Sequence, residues 1–317
     1  DINGGYSMSI ITVTLNPAID QTITVKQLKV GEVHRAQSVY YTAGGKGIMV
    51  ASCLADWHDE PIAVTGFLGI DNAVVFKSAF QEKKIQDKFI HVAGTNRTNI
   101  KIVDEYQTTD VNLPGISSTE EALQQLLNCL ETPYDIVILS GSLPLHCCHD
   151  AYAQMLEVLK KNHSKVIVDA SGEALIEALQ TETKPYCIKP NRLELSQWAG
   201  HELSSFNDIH QEARKLLATG IQLVVISLGE EGALFFNHTS VLKAYLKAST
   251  IMTTVGAGDA MVAGIATALQ ENAPLERIAR LSIAFAVAKL GSIAPSLPDK
   301  KIIESLAENV VIEQIGG

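Results

Sequence analysis

No stretch of the chain approaches the roughly 20 consecutive apolar residues that a bilayer span requires. The nearest, residues 255–269, is broken by Asp259 and by small Gly and Ala positions, so a membrane-spanning protein is not expected. A secretory leader is missing too: the amino end has no basic stretch followed by an apolar core, and residues 1–7, ahead of Met8, read as an appended tag. Cysteine is sparse. Cys53, Cys129, Cys147, Cys148 and Cys187 are odd in number and scattered; they make no small disulfide framework and suit reduced thiols in a cytoplasmic protein. Basic residues are in deficit, 25 Lys+Arg against 35 Asp+Glu, for a formal net charge of −10. That balance excludes nucleic acid or an anionic membrane as a bulk partner. A phosphate-bearing ligand would need a local cationic site.

Absent motifs narrow the field further. No histidine sits in an H-E-x-x-H pattern and no Ser/His/Asp order can be drawn, so nucleophilic hydrolysis has no support. His146-Cys147-Cys148-His149 offers zinc-binding residue types, but contiguous side chains diverge and no second pair stands at zinc-site spacing. It reads as the region of a helix start. Repeats, low-complexity tracts and long linkers are absent as well.

What is present is the material for a large core: 317 residues, 46% hydrophobic and 19% charged. Short apolar runs at 10–15, 62–65, 135–139, 165–168, 186–188 and 223–227 read as strands. Most of the later ones are separated by helical patterns, at 120–130, 151–161, 209–218, 258–270 and 275–290. Continuous hydrophobicity in such strands implies burial on both faces, hence a mostly parallel α/β sheet. Ser118 and Glu121 have capping-box spacing ahead of the first helix. Two segments, about 20–41 and 91–113, instead alternate polar and apolar residues, as half-exposed strands do; they are expected to pair into a small antiparallel lid.

Several glycine-rich turns could carry chemistry. In Val255-Gly256-Ala257-Gly258-Asp259, glycines lead into an apolar helix whose free N–H groups make an anion site, with Asp259 in the first turn as a proton acceptor. The plainer alternative is an N-cap aspartate at a turn. Gly44-Gly45-Lys46-Gly47 places one cation among glycines, suited to a substrate phosphate or merely to a solvated loop. Lys189-Pro190-Asn191-Arg192-Leu193-Glu194 follows a strand, and Asn191 and Glu194 share a helical face that could hold hydrated Mg2+ or simply cap the helix. Ser227-Leu228-Gly229-Glu230-Glu231-Gly232 could lie against a nucleotide or turn a hairpin. Ser140-Gly141-Ser142-Leu143-Pro144 is equally ambiguous.

Taken together and in order, these segments resemble the PfkB, or ribokinase-like, carbohydrate kinases, and within them the 1-phosphofructokinase and tagatose-6-phosphate kinase branch. Further markers are Asn16-Pro17-Ala18-Ile19-Asp20, Thr95-Asn96-Arg97-Thr98-Asn99-Ile100-Lys101 and Asn112-Leu113-Pro114-Gly115. The resemblance implies a three-layer α/β/α sandwich over 8–317 with the lid inserted in its N-terminal third. It also implies ATP-dependent transfer to a phosphorylated ketohexose, fructose 1-phosphate giving the 1,6-bisphosphate, with tagatose-6-phosphate kinase the alternative in the same class. Asp259 matches the base, and Gly256, Ala257 and Gly258 the anion hole. Asn16, Asp20, Gly44, Gly45, Lys46, Arg97 and Lys101 match the sugar side. On the ATP side stand Lys189, Asn191, Ser227, Gly229, Gly232 and Val255, and Asn191 with Glu194 matches the Mg2+ motif. A homodimer through the lid is implied as well. In one respect the sequence departs from the branch: Met49 stands where an asparagine is usual, and a thioether donates no hydrogen bond to a sugar. From that departure comes an alternative of another class, a sugar-phosphate-binding sensor with weakened catalysis.

Overall fold

The run Ile10-Ile11-Thr12-Val13-Thr14 is buried at every position because it is the strand around which the sheet is built. It is β1 (Ile10–Thr14) of the computed structural model, which describes residues 9–292 and 294–316; the expected tag and Met8 lie outside the described residues. Next come β2 (Ala18–Thr24), β3 (Ser38–Gly44), α1 (Lys46–Trp57), β4 (Ala63–Gly69), α2 (Val74–Glu82), β5 (Gln86–Asp87), β6 (Ile90–Val92), β7 (Arg97–Val103) and β8 (Thr108–Asn112). Regular alternation follows: α3 (Glu120–Leu130), β9 (Ile136–Ser140), α4 (Ala151–Lys161), β10 (Lys165–Asp169), α5 (Gly172–Gln180), β11 (Cys187–Ile188), α6 (Arg192–Ala199), α7 (Phe206–Ala218) and β12 (Leu223–Ser227). The chain continues through β13 (Ala233–Phe236), β14 (Val241–Tyr245), α8 (Ala257–Gln270), α9 (Leu275–Leu290), α10 (Lys300–Asn309) and β15 (Val311–Gly316).

The main sheet has the order β15-β14-β13-β12-β11-β10-β9-β1-β4-β5, with β6 paired to β4. From β12 to β5 the pairing is parallel, while β13, β14 and β15 add an antiparallel edge. Alternate residues of each strand feed different cores. Ile136 and Ile138 pack with helices α1, α8 and α9, and Val137 and Leu139 with α3, α4 and α7, which gives the three layers. On the first face α8 and α9 meet almost backbone to backbone. A Cβ on Gly264 would stand 2.7 Å from Leu281 O and 2.8 Å from Ser282 Cα, so only glycine permits that approach. Among the described residues no helix is long and apolar enough to cross a membrane.

The small sheet, order β3-β2-β7-β8, differs from the expected antiparallel lid: β2 pairs antiparallel with β3 but parallel with β7. A parallel pair requires a long crossover, supplied here by β3 through β6. His91, expected in the lid, instead pairs beside Leu68 of the main sheet. Register sorts the lid's residues by face. Ala18, Asp20 and Thr22 stand opposite Arg97, Asn99 and Lys101, and Asn99 and Lys101 opposite Asn112 and Asp110, a polar face. The intervening positions include Ile23, Val39, Tyr41, Ile100 and Val111, an apolar one. The capping signal before α3 is shifted by one residue. Thr119, in extended conformation, accepts from the Ala122 N–H at 3.1 Å, whereas Ser118 is drawn into a backbone bond to Leu145.

Candidate active site

Two helix starts meet at the carboxyl end of the parallel strands. α8 begins after Gly256, φ 81°, and α1 after Gly45, φ 106°; neither has a side-chain cap. Both backbone conformations suit glycine, and the first-turn N–H groups of each helix are left for a ligand at the positive end of its dipole. A Cβ on Gly44 would run into the Asp20 carboxylate, so that glycine lets α1 start directly beneath the lid.

Asp259 lies in the first turn of α8 with its side chain 13% exposed and Oδ1 3.5 Å from Lys46 Nζ. That buried oxygen has no hydrogen-bond partner. Burial lifts the Asp259 carboxyl above the usual carboxylate range; Lys46 opposes the rise and Asp169 adds to it. A carboxylate of raised proton affinity beside an open space is suited to accept a proton from a hydroxyl. Burial works against the charge of Lys46 as well, but Asp169 and Asp259 outweigh it and hold the ammonium above its ordinary range.

Asp169, the last residue of β10, is 3% exposed and bridges two lysines: Oδ2 is 3.1 Å from Lys46 Nζ and Oδ1 3.3 Å from Lys189 Nζ. Burial disfavours its charge, yet the lysines Lys189 and Lys46 together hold its carboxyl below the usual range. Lys189 Nζ in turn comes within 3.7 Å of the Cβ position of Gly258, at the start of α8. Behind that start Lys289 is buried, its ammonium donating to Ser292 O at 2.8 Å and its Cε 3.3 Å from the Cβ position of Gly256.

Between Asp259 and the polar face of the lid is a cavity of about 310 Å³, onto which Lys46, Met49 and Val255 also open. Arg97 donates through Nη2 to Asn16 O at 3.2 Å, while its Nε is buried without a partner. Lys101 pairs with Asp110 at 2.9 Å. Asn99 donates to Asp20 Oδ1 at 3.0 Å and keeps its own Oδ1 unpartnered, as does Asn16. Burial raises Asp20, against the Asn99 hydrogen bond and the charges of Lys101 and Arg97. The guanidinium and ammonium on one wall suit an anionic group, and the unpartnered Asn99 Oδ1 beside them can accept from a hydroxyl of the same ligand.

The other expected positions line up along the neighbouring strand ends. Asn191 Oδ1 accepts from the Glu194 N–H and Glu194 Oε2 from the Asn191 N–H, both at 2.8 Å, a complete capping box on α6. The Glu194 charge adds to the raised proton affinity of Lys46. Ser227 bridges to Asn191 at the end of β12, and Gly229 opens a short turn with free space at its Cβ position. Gly232 has a packing reason: a side chain there would collide with Ala244 and Tyr245. Among the described residues no group of three or more His, Cys, Asp or Glu is placed to hold a metal ion. A donor set of one carboxylate and one amide fits Mg2+ that keeps most of its waters and takes its other ligands from phosphates.

Sequence reasoning missed Asp169, Asn99 and Lys289. Asp169 ends a parallel strand, the position where ligands to such sheets gather, and Asn99 falls midway between Arg97 and Lys101 at the two-residue period of one strand face. Lys289 lies in an apolar helix with no local signal.

The chain matches the model of the pfkB family of carbohydrate kinases over residues 13–301. It is 46% identical over 294 residues to a 1-phosphofructokinase of Xanthomonas campestris pv. campestris, covering 90% of this chain and 92% of that protein. To a 1-phosphofructokinase of Vibrio cholerae it is 35% identical over 310 residues, with 96% and 97% covered. Among solved structures, phosphofructokinase-2 from Escherichia coli superposes with a TM-score of 0.88 at 27% identity, covering 95% of this chain and 99% of that one.

Proposed function

The chain belongs to the pfkB family of carbohydrate kinases, phosphotransferases with a hydroxyl acceptor, and from that premise we propose that it transfers the γ-phosphoryl of ATP to fructose 1-phosphate. The observation that carries this reading is the cavity whose lid wall holds Arg97 and Lys101 and whose opposite wall is Asp259. A ketohexose that already bears a phosphate at one end is gripped by the cationic wall, and its free primary hydroxyl is left at the carboxylate. The names of the relatives support the same substrate.

In the proposed reaction Asp259 takes the proton of the C6 hydroxyl as its oxygen bonds to the γ-phosphorus. The bond to the bridging oxygen breaks, that oxygen keeps the electron pair, and ADP departs. First-turn N–H groups of α8 receive the charge spread over the transferring group, with Lys189 beside them. Asn191 and Glu194 would hold Mg2+, which when bound neutralises nucleotide phosphate oxygens. The anion-receiving lid residues orient the sugar and exclude water from the base. The apolar face of the lid, where Val39 is 40%, Tyr41 58% and Val111 44% exposed, supports pairing with a second copy. A cytoplasmic location, where ATP and reduced thiols coexist, accompanies this reading.

The test is coupled-assay ADP release with fructose 1-phosphate, tagatose 6-phosphate and unphosphorylated fructose. The first should have the highest kcat/KM; a preference for the unphosphorylated sugar removes Arg97 from its role. Asp259→Asn should keep ATP binding and lose at least about 10²-fold in kcat, and near-normal turnover in that variant rejects the base.

A further inference from the structure

We infer that Asp169 is a positioning residue that holds the acceptor-side and donor-side cations on either side of the base, an inference resting on the kinase reading above. Three observations carry it. The carboxylate is almost fully buried, and each of its oxygens meets a different lysine, at 3.1 and 3.3 Å. A buried carboxylate is retained at a strand end only with such partners. The two lysines serve different halves of the site: Lys46 opens onto the sugar cavity, and Lys189 Nζ reaches the start of α8 at Gly258. Finally, Lys46 is shared. Its ammonium is nearer to Asp169 than to Asp259, at 3.1 against 3.5 Å, so Asp169 restrains it from closing fully onto the base.

The consequence is a division of labour between two carboxylates in one small space. Asp169 keeps both ammoniums oriented, and Asp259 stays free to accept a proton. With Asp169 neutral, Lys46 has only Asp259 to pair with, and Lys189 loses its anchor beside α8. The charged and titratable groups around Asp259 are Lys46 and Cys53 of α1, Asp169 of β10, Lys189 after β11 and Lys289 of α9, with Glu194 of α6 acting through Lys46. Removing Asp169 takes away a neighbouring negative charge, which lowers the proton affinity of Asp259. Removing Lys46 takes away a positive one and raises it. These signs follow from charge alone, and the positioning role is read in KM for ATP, which a role confined to folding does not move.

The experiment compares Asp169→Asn with Lys46→Met and with the unaltered chain, reading KM for ATP and the acidic limb of kcat/KM. Asp169→Asn should raise KM for ATP about 10- to 100-fold, the factor attached to losing one charge-assisted hydrogen bond. Its acidic limb should move to lower pH, and that of the residual Lys46→Met activity to higher pH. An unchanged KM for ATP in Asp169→Asn overturns the inference, whatever the limb does. If the single variant is too unstable to assay, Asp169→Asn/Lys189→Met removes the stranded ammonium with its partner. The two charges removed are opposite, so a fall of its limb reports Lys46 released from Asp169 onto Asp259, and an unmoved limb there also overturns the inference. Failure of the kinase reading is distinguished by Asp259→Asn: full activity in that variant sinks both, whereas an inactive Asp259→Asn beside a normal Asp169→Asn sinks this inference alone.

Discussion

Replacing Gly256 by alanine separates the stability of the site from its chemistry. Gly256 has φ 81°, and an alanine held in that left-handed region loses about 1–2 kcal/mol. The new Cβ would stand 3.1 Å from Met49 Cε and 3.3 Å from Lys289 Cε, both near the ends of flexible side chains that can yield slightly. The packing contribution is therefore small and the total loss about 2 kcal/mol, which lowers the melting temperature by no more than about 8 °C in a chain of this size. Turnover should suffer more. In the proposed reaction the N–H groups after residue 256 receive the transferring phosphoryl, and misplacing one such donor reduces kcat by about 10²- to 10³-fold. Calorimetry gives the first quantity and ADP release well below the transition gives the second. Met49→Ala in the same background opens space at the new Cβ and should recover part of the melting temperature without restoring turnover. A kcat within about threefold of the parent beside the expected thermal loss would refute the assignment of the anion hole to this helix start.

Two further perturbations address the sugar side. Met49→Asn supplies a hydrogen-bond donor at the cavity wall and should improve kcat/KM for the preferred sugar phosphate by about tenfold; an unchanged KM means that position 49 does not meet the sugar. Val39→Asp with Val111→Asp places charge on the exposed apolar face of the lid and should convert a dimer to a monomer in light scattering, whereas an unaltered mass removes that face as the interface.

The strands of the main sheet were legible because their surroundings are uniform. β1, β9 and β10 are covered on both faces, so burial at almost every position imposes an unbroken apolar run that needs no knowledge of partners. The lid was legible as half-exposed strands, but not the direction of β2 against β7, since alternation along a strand is the same for either direction of its neighbour. Asp259 announced itself through the glycines before it, which serve a local turn. Asp169 carries no such mark: its role exists only when a lysine 123 residues away in sequence is folded onto it. Gly232 was visible as a glycine, yet the backbone that demands it belongs to Ala244 on another strand. Local geometry writes itself into neighbouring residues; long-range electrostatics does not.

The close approach of α8 to α9 at Gly264 has a consequence for how such an enzyme changes over generations. A helix that rests on another helix's backbone has almost no latitude: substitution at 264 displaces the pair, and Asp259 with it. The lid, by contrast, carries Asp20, Arg97, Asn99 and Lys101 on a separate sheet, where exchange of one polar side chain for another leaves α8 undisturbed. Under the proposed reading, much of the grip on the acceptor is thus carried on a different sheet from the group that accepts its proton, and side chains along β2, β7 and β8 can be exchanged without moving α8.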